Sequence, residues 1–233
     1  MAAVETVRAR TGDDDPVRVL IVDDDALVRA GLTMMLGGFD GIEVAGAVGD
    51  GEEVAAAVTR LRPDVVLMDI RMPKLDGLAA TERLRARPDA PEVIVLTTFD
   101  TDRHVQRAIR AGASGFLLKH TPPARIADAI HQVAAGEPML SPEVLRRMMG
   151  FLAGAGVDPR RDAARVRLDA LSAGERAVAE RIGRGLTNQE IAAELRMSTA
   201  TVKAYVSRML TKLDLNNRVQ IALLVHDADL PVA

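Results

Sequence analysis

The sequence contains no cysteine and no tryptophan, and aromatic residues make up 2% of its 233 positions, with a single tyrosine. The absence of cysteine excludes disulfides, thiol catalysis and thiolate-bound metals, and fits a reducing compartment. The scarcity of aromatics leaves Leu, Val, Ile, Ala and Met to build any core. No apolar stretch approaches the ~20 residues that a membrane span needs. The N-terminal MAAVETVRARTGDDD lacks the apolar segment of a secretory signal. These absences point to a soluble, cytoplasmic protein with no membrane partner, and the length suits one large domain or two modest ones.

Charge is present but unevenly spread. The net charge is −3. Residues 1–137 hold 16 basic and 22 acidic side chains, residues 138–167 hold 6 and 3, and residues 168–233 hold 8 of each. An acidic front and a neutral-to-basic back indicate two tasks in one chain. The front half alternates β-branched runs with Ala/Leu/Arg-rich segments of helical spacing. The runs are VRVLIV (17–22), IEVAGAV (42–48), DVVLMD (64–69), EVIVLTT (92–98) and SGFLLK (114–119). Apolar runs of this kind are buried on both faces, as in a parallel sheet covered by helices. Five β-then-α units predict an α/β fold, a doubly wound five-stranded parallel sheet.

A short helix is expected near Ser141-Pro142, then a Gly/Asp/Pro/Arg-rich connector over 154–167. From Leu168 onward the pattern is helical. Ser172, Thr187, Ser198 and one of Asn216 or Asn217 are placed to cap four successive helices. The domain boundaries read from this are an N-terminal extension over 1–15, an α/β domain over 16–137, a linker over 138–167 and a small all-α domain over 168–230.

The runs end in chemistry. Asp23 and Asp24 follow the first, Asp69 the third, Thr97 lies at the end of the fourth and Lys119 at the end of the fifth. In a parallel sheet these ends share one edge, where ligands of such folds bind. Three carboxylates crowded together repel unless a cation joins them, and hard oxygen donors suit Mg²⁺. A carboxylate beside such a metal can act as a phosphoryl-accepting nucleophile. Each residue alone has a plainer reading. Asp23-Asp24-Asp25 could simply cap a helix, Asp69 could sit in a turn, and Lys119 could be a solvated charge. Their joint placement favours the pocket. A haloacid-dehalogenase-type phosphohydrolase also uses a strand-tip aspartate but carries a second acid two residues later, where this chain has Arg71. A dinucleotide-binding domain needs a glycine-rich first turn, and here that turn is Asp23-Asp24-Asp25.

In the back half, NQEIAAELR and STATVKAYVSRMLTKL are two helices joined by Arg196-Met197-Ser198, the layout of a helix-turn-helix. Between Arg196 and Arg218 stand five basic residues and one acid, an electrostatic footprint for phosphates. A helical interaction module with a solvated charged face is the plainer alternative.

Residues 17–136 resemble the receiver domain of two-component response regulators, through VLIVDDD, VLMDIRMPKLDG, VIVLTT and GASGFLLK. The resemblance implies a flavodoxin-like receiver in which Asp69 accepts a phosphoryl group from a sensor histidine kinase. Asp23, Asp24, Asp69 and the backbone carbonyl of Arg71 would hold Mg²⁺, and Thr97 and Lys119 would bind the phosphoryl oxygens. Phe116 fills an aromatic switch position expected to move inward, and Arg71 and Phe99 would tune the phosphoryl lifetime. The chain has Lys119-His120 where many receivers have Lys-Pro. The back half resembles the LuxR-type helix-turn-helix, through LTNQEIAAEL, the STATVKAYVSRMLTKL helix and NNRVQIALL. This implies that Lys203, Ala204 and Ser207 face the major groove and that Asn188, Gln189, Thr199 and Arg218 contact the DNA backbone. The last helix, 217–226, is then the dimer seam. Gly174, Tyr205 and Ser207 depart from the usual pattern.

Together these features imply a transcription regulator of the NarL/FixJ type, not an enzyme beyond phosphoryl transfer at its own receiver, and binding inverted half-sites on double-stranded DNA as a homodimer. A receiver that works without phosphorylation is the alternative. The arginine-rich linker is expected to hide the recognition helix against the receiver, so that deleting residues 1–140 raises DNA affinity.

Overall fold

The computed structural model describes residues 15–87, 89–98, 102–140 and 159–228. The predicted helix near Ser141-Pro142 and the residue Phe99 lie outside them. The first domain begins with strand β1 (Val17–Val22), helix α1 (Ala26–Leu36), β2 (Ile42–Val48), α2 (Gly51–Leu61) and β3 (Val65–Met68). It continues with α3 (Gly77–Arg85), β4 (Glu92–Thr97), α4 (Asp102–Arg110), β5 (Gly115–Leu118) and α5 (Pro123–Ala134). The sheet is parallel, in the order β2-β1-β3-β4-β5, and carries one strand more than the sequence predicts. That strand is β6 (Met139–Leu140), which pairs with β5 through Gly115 and Phe116. Two residues are too short to register as a strand by composition, and only the exposed edge of β5 makes them one.

The pleat sorts the apolar runs onto two faces. Val19, Ile21, Val65 and Leu67 point toward α1 and α5, where Leu36, Ile126 and Ile130 cover them. Leu20, Val22, Val66 and Met68 point toward α2 and α3, against Val54, Val58 and Leu84. Each fully buried aliphatic side chain contributes roughly 1.5–3 kcal/mol, so both faces stabilise the sheet, as the unbroken runs require. The order reverses between β1 and β3, and their carboxyl ends form the crevice of the switch point.

The second domain is helical. It comprises α6 (Pro159–Asp169), α7 (Ala173–Gly183), α8 (Asn188–Leu195), α9 (Thr199–Lys212) and α10 (Arg218–Asp227). Helix α6 occupies most of the segment expected to be a connector. Its Pro159 stands at the first position, where a missing N–H costs nothing, and Ala164 and Leu168 are buried in the domain core. The capping residues are Ser172, Thr187, Ser198 and Asn217, each accepting a hydrogen bond from an amide of its helix's first turn. Gly174 and Tyr205, two departures from the usual pattern, are one feature. A Cβ at Gly174 would lie 2.8 Å from the Tyr205 hydroxyl, so the missing side chain makes room for the ring.

Glu175 completes a capping box on α7. Its carboxylate accepts the Ser172 amide at 2.8 Å and Lys212 Nζ at 3.0 Å, tying α9 to α7. The Ser172 amide first, and Lys212 next, pull its pKa down to about 2. A depressed acid stabilises the fold fully above its unfolded pKa near 4.5 and loses that contribution as pH falls from there to about 2. Glu175→Gln is therefore expected to cost roughly 1–2 kcal/mol at pH 7. It should also flatten the acid dependence of the second domain's unfolding between about pH 4.5 and 2, followed by circular dichroism. An unchanged acid limb would contradict this role.

Candidate functional site: an acidic pocket and a helix-turn-helix

Three strand ends converge at the switch point. Asp23 and Asp69 are buried and Asp24 is exposed at the mouth of the crevice. Carboxylate oxygens of all three lie within 4.8 Å of one another. Backbone bonds fix the positions: the Asp69 amide donates to Val22 O at 2.8 Å and the Asp23 amide to Val48 O at 3.2 Å. Lys119 reaches in from the end of β5, its Nζ 2.6 Å from Asp23 Oδ2 and 3.0 Å from Asp69 Oδ2. Burial pushes the Asp69 carboxyl above the usual carboxylate range, against the opposing pull of Lys119. Burial also disfavours the Lys119 ammonium, but the two carboxylates outweigh it and raise its pKa. Thr97 is buried at the end of β4, next to β5. The structure thus brings Asp23, Asp24, Asp69, Thr97 and Lys119 to one sheet edge. A single ammonium facing three carboxylates leaves a net negative pocket of hard oxygen donors, which fits a divalent cation of the Mg²⁺ type.

Supporting residues escaped the sequence reading. Asp50 accepts the amides of Lys74 at 3.0 Å and Leu75 at 3.2 Å, anchoring the loop that follows Asp69 to the start of α2. The amide of Glu52 and then those two loop amides hold its carboxyl below the usual range. Arg29 Nη1 donates to the carbonyls of Asp23 at 2.6 Å and Asp24 at 3.0 Å. An Asp before a helix reads as a cap, and nothing local announces a partner 24 residues away. The Lys119–His120 peptide is trans, with no cis bond among the described residues. Phe116 is already inward, 1% exposed in a cluster with Ile70, Val95, Val105 and Val219. The second domain helps to bury the position, since Val219 belongs to α10.

In the second domain Arg196 adopts a left-handed conformation that ends α8, and Met197-Ser198 leads directly into α9. Lys203, Ala204 and Ser207 lie exposed on α9, and Gln189 and Thr199 are exposed as well. These side chains are open to solvent; the expectation that the linker hides them falls on residues 141–158, which lie outside the described residues. Asn188 and Arg218 are instead buried, at 5% and 7% exposure. Arg218 donates to Asn188 Oδ1 at 2.7 Å and to the Leu186 carbonyl, and pairs with Glu137 of the receiver at 3.0 Å. Burial lowers its pKa and Glu137 opposes the shift. The start of α10 packs on the receiver. Asn217 Nδ2 donates to Ala113 O at 2.7 Å, Gln220 Nε2 to Ile109 O at 2.8 Å, and Arg85 to Asn216 O. The Asn217 and Gln220 amides thus meet carbonyls in and just after the last turn of α4, and Arg85 of the receiver returns a bond to the second domain.

A parallel sheet with acids and a lysine at its switch point, joined to a helix-turn-helix, defines a receiver with a DNA-binding output. Residues 19–131 match the response regulator receiver domain, and residues 169–225 match the bacterial regulatory proteins of the luxR family. The transcriptional regulatory protein LiaR of Bacillus subtilis (strain 168) is 37% identical over 212 residues, which cover 90% of this chain and 97% of that protein. The response regulator protein VraR of Staphylococcus aureus is 35% identical over 208 residues, 89% of this chain and 95% of that one. Among solved structures, the response regulator ChrA of a heme-sensing two-component system is 34% identical with a TM-score of 0.50, covering 90% and 96% of the two chains. A LuxR-family response regulator from Aurantimonas sp. SI85-9A1 is 27% identical with a TM-score of 0.57, covering 60% and 99%. The chain belongs to the response regulators of the NarL/FixJ type: it is a DNA-binding response regulator of a two-component system. Among the described residues no helix is long and apolar enough to cross a membrane.

Proposed function

We propose that Asp69 accepts a phosphoryl group from the phosphohistidine of a sensor kinase, and that this promotes a homodimer that binds inverted half-sites on DNA. The observation that carries this reading is the Asp69 carboxylate, held at the strand tip between Asp23, Asp24 and Lys119. Mg²⁺ would be held by Asp23, Asp24, Asp69 and the carbonyl of Arg71, and when bound it neutralises phosphoryl oxygens during in-line transfer. An Asp69 oxygen attacks phosphorus, the new P–O bond forms as the P–N bond breaks, and the imidazole nitrogen leaves with the electron pair. Lys119 supplies a point charge, and Thr97 a hydroxyl donor, to the transferred oxygens.

Domain contacts suggest how this reaches DNA. Val219 and Leu223 of α10 pack with the α4 residues Val105, Ala108 and Ile109. Dimerisation through α10 therefore requires the receiver to release it. Phe116, in the same cluster as Val219, links the pocket's strand to that contact. On DNA, Lys203, Ala204 and Ser207 read the major groove, with Gln189 and Thr199 on the backbone.

The test combines sedimentation with DNA binding. After incubation with acetyl phosphate and Mg²⁺ the protein should shift from monomer toward dimer and bind duplex DNA more tightly. Lys203→Ala should weaken binding by roughly tenfold, as expected for loss of a base-edge or phosphate contact. A sedimentation coefficient and an affinity that ignore acetyl phosphate would refute the switch. Undiminished binding by Lys203→Ala would refute the assignment of α9.

A further inference from the structure

The receiver leaves the reading face of the recognition helix open and covers a different part of the DNA-binding domain. The covering group is Glu137. Gly136, at φ +84°, turns the chain out of α5 and sends the next side chain across to the second domain. One carboxylate oxygen, Oε1, accepts the backbone amide of Asn188 at 2.5 Å. The other, Oε2, lies 3.0 Å from Arg218 Nη1. The Asn188 amide is at the first position of α8, where unpaired N–H groups and the helix dipole favour an anion. The Arg218 side chain is 93% buried, the remainder of its 7% exposure, and its guanidinium is held in place by Asn188 Oδ1 and the Leu186 carbonyl. Two separate donors thus meet two oxygens of one anion, the arrangement that a DNA phosphodiester offers with its two non-bridging oxygens.

We propose that Glu137 is an intramolecular stand-in for a DNA backbone phosphate, so that the receiver and DNA compete for the anion site formed by the Asn188 amide and Arg218. This rests on the reading of the second domain as a DNA binder whose Asn188 and Arg218 meet the DNA backbone, and adds the named competitor that holds that site within the chain. It differs from a steric block, because Lys203, Ala204 and Ser207 are exposed in the same structure. Free duplex can meet the reading face, but the backbone clamp closes on it only once Glu137 has left. The site is matched in charge to what it must exchange: a carboxylate of one negative charge for a phosphodiester of one negative charge. Because the Glu137 side chain retains 18% exposure, the pair opens to water on one side and can part without unfolding either domain.

The test measures the affinity of the full-length, unphosphorylated protein for a duplex oligonucleotide of about two helical turns, by fluorescence anisotropy at fixed salt. Glu137→Gln keeps the shape and removes the charge. It is expected to bind about five- to tenfold more tightly than wild type, the scale of one charge-assisted hydrogen bond. Two variants separate this from simpler causes. Asp128→Asn removes an exposed acid from the same receiver and reports the effect of one lost charge at a distance. Gln220→Ala breaks the bonds to Ile109 O and Arg110 O and the one from the Asn216 amide, and loosens the domains without removing a donor or acceptor of the anion site. Each should change affinity less than about twofold by comparison. Equal gains in Glu137→Gln and Gln220→Ala would overturn the proposal in favour of general domain release. A gain in Asp128→Asn that equals that of Glu137→Gln would overturn it in favour of net charge. An affinity of Glu137→Gln equal to wild type, while Lys203→Ala still weakens binding, would overturn the proposal alone. Absence of duplex binding by every variant would instead sink the DNA-binding reading, and this inference with it.

Discussion

Asp69→Asn will take up no phosphoryl group from acetyl phosphate and Mg²⁺, where the wild-type protein gains a single adduct that EDTA prevents. Intact-mass spectrometry reads all three arms. The substitution is conservative in every respect but one. An asparagine Oδ1 can still accept the Ile70 amide, now 2.8 Å from Asp69 Oδ1, and Lys119 keeps its partner Asp23 at 2.6 Å. What disappears is the anionic nucleophile. The fold should not suffer. Burial raises the Asp69 pKa, so its ionisation is harder in the folded chain than in the unfolded one. Such a group removes stability as pH rises from about 3.8 through the folded value. Asp69→Asn should therefore melt at or above the wild-type temperature at pH 7, and a loss of adduct cannot be put down to unfolding. An adduct of equal yield on Asp69→Asn would show that another side chain is the acceptor.

The second large effect is expected at Gly77, the first residue of α3. Its amide donates to Ile70 O at 2.9 Å, which closes the turn after Asp69. A Cβ there would overlap the backbone carbonyl oxygen of Asp69 and lie 2.9 Å from Met68 Cγ. The Met68 side chain could yield by rotating. The Asp69 carbonyl cannot, because it is main chain at a strand end held by the Asp69 amide's bond to Val22 O. Gly77→Ala is expected to cost about 3 kcal/mol or more, at the upper end of overpacking effects. Urea denaturation of the receiver transition reads the cost. The phosphoryl adduct should also form more slowly at temperatures where the variant is still folded, because Asp69 must shift to make room. A denaturation midpoint equal to wild type would mean that the loop relaxes freely and that the close approach is incidental.

Much of this architecture is legible along the chain. Strand runs that are apolar throughout gave way to burial on both faces of the sheet, and the acids, threonine and lysine fell at its carboxyl edge because a parallel sheet brings all such ends to one side. Ser172, Thr187, Ser198 and Asn217 were legible as caps because capping is a bond within four residues. Less could be read where a segment borrows its structure from elsewhere. Met139–Leu140 becomes a strand only beside β5, and α6 lies in a segment whose glycine, proline and arginine content reads as a connector. That the sheet, α4 and Val219 enclose Phe116 is likewise decided by packing between segments far apart in the chain.

The sequence by itself determined the two domain types, the acidic pocket and the helix that presents Lys203, Ala204 and Ser207, since each depends on periodicity, strand ends or local capping. Only the tertiary structure decided how the domains meet. It turned Asn188 and Arg218 inward onto Glu137, 51 residues from Asn188, and set Asn217 on the carbonyl of Ala113, 104 residues away. The physical reason is that a carboxylate, an amide and a guanidinium are each satisfied equally well by water, by DNA or by one another. Composition does not choose among these partners; the packing of α10 on α4 does.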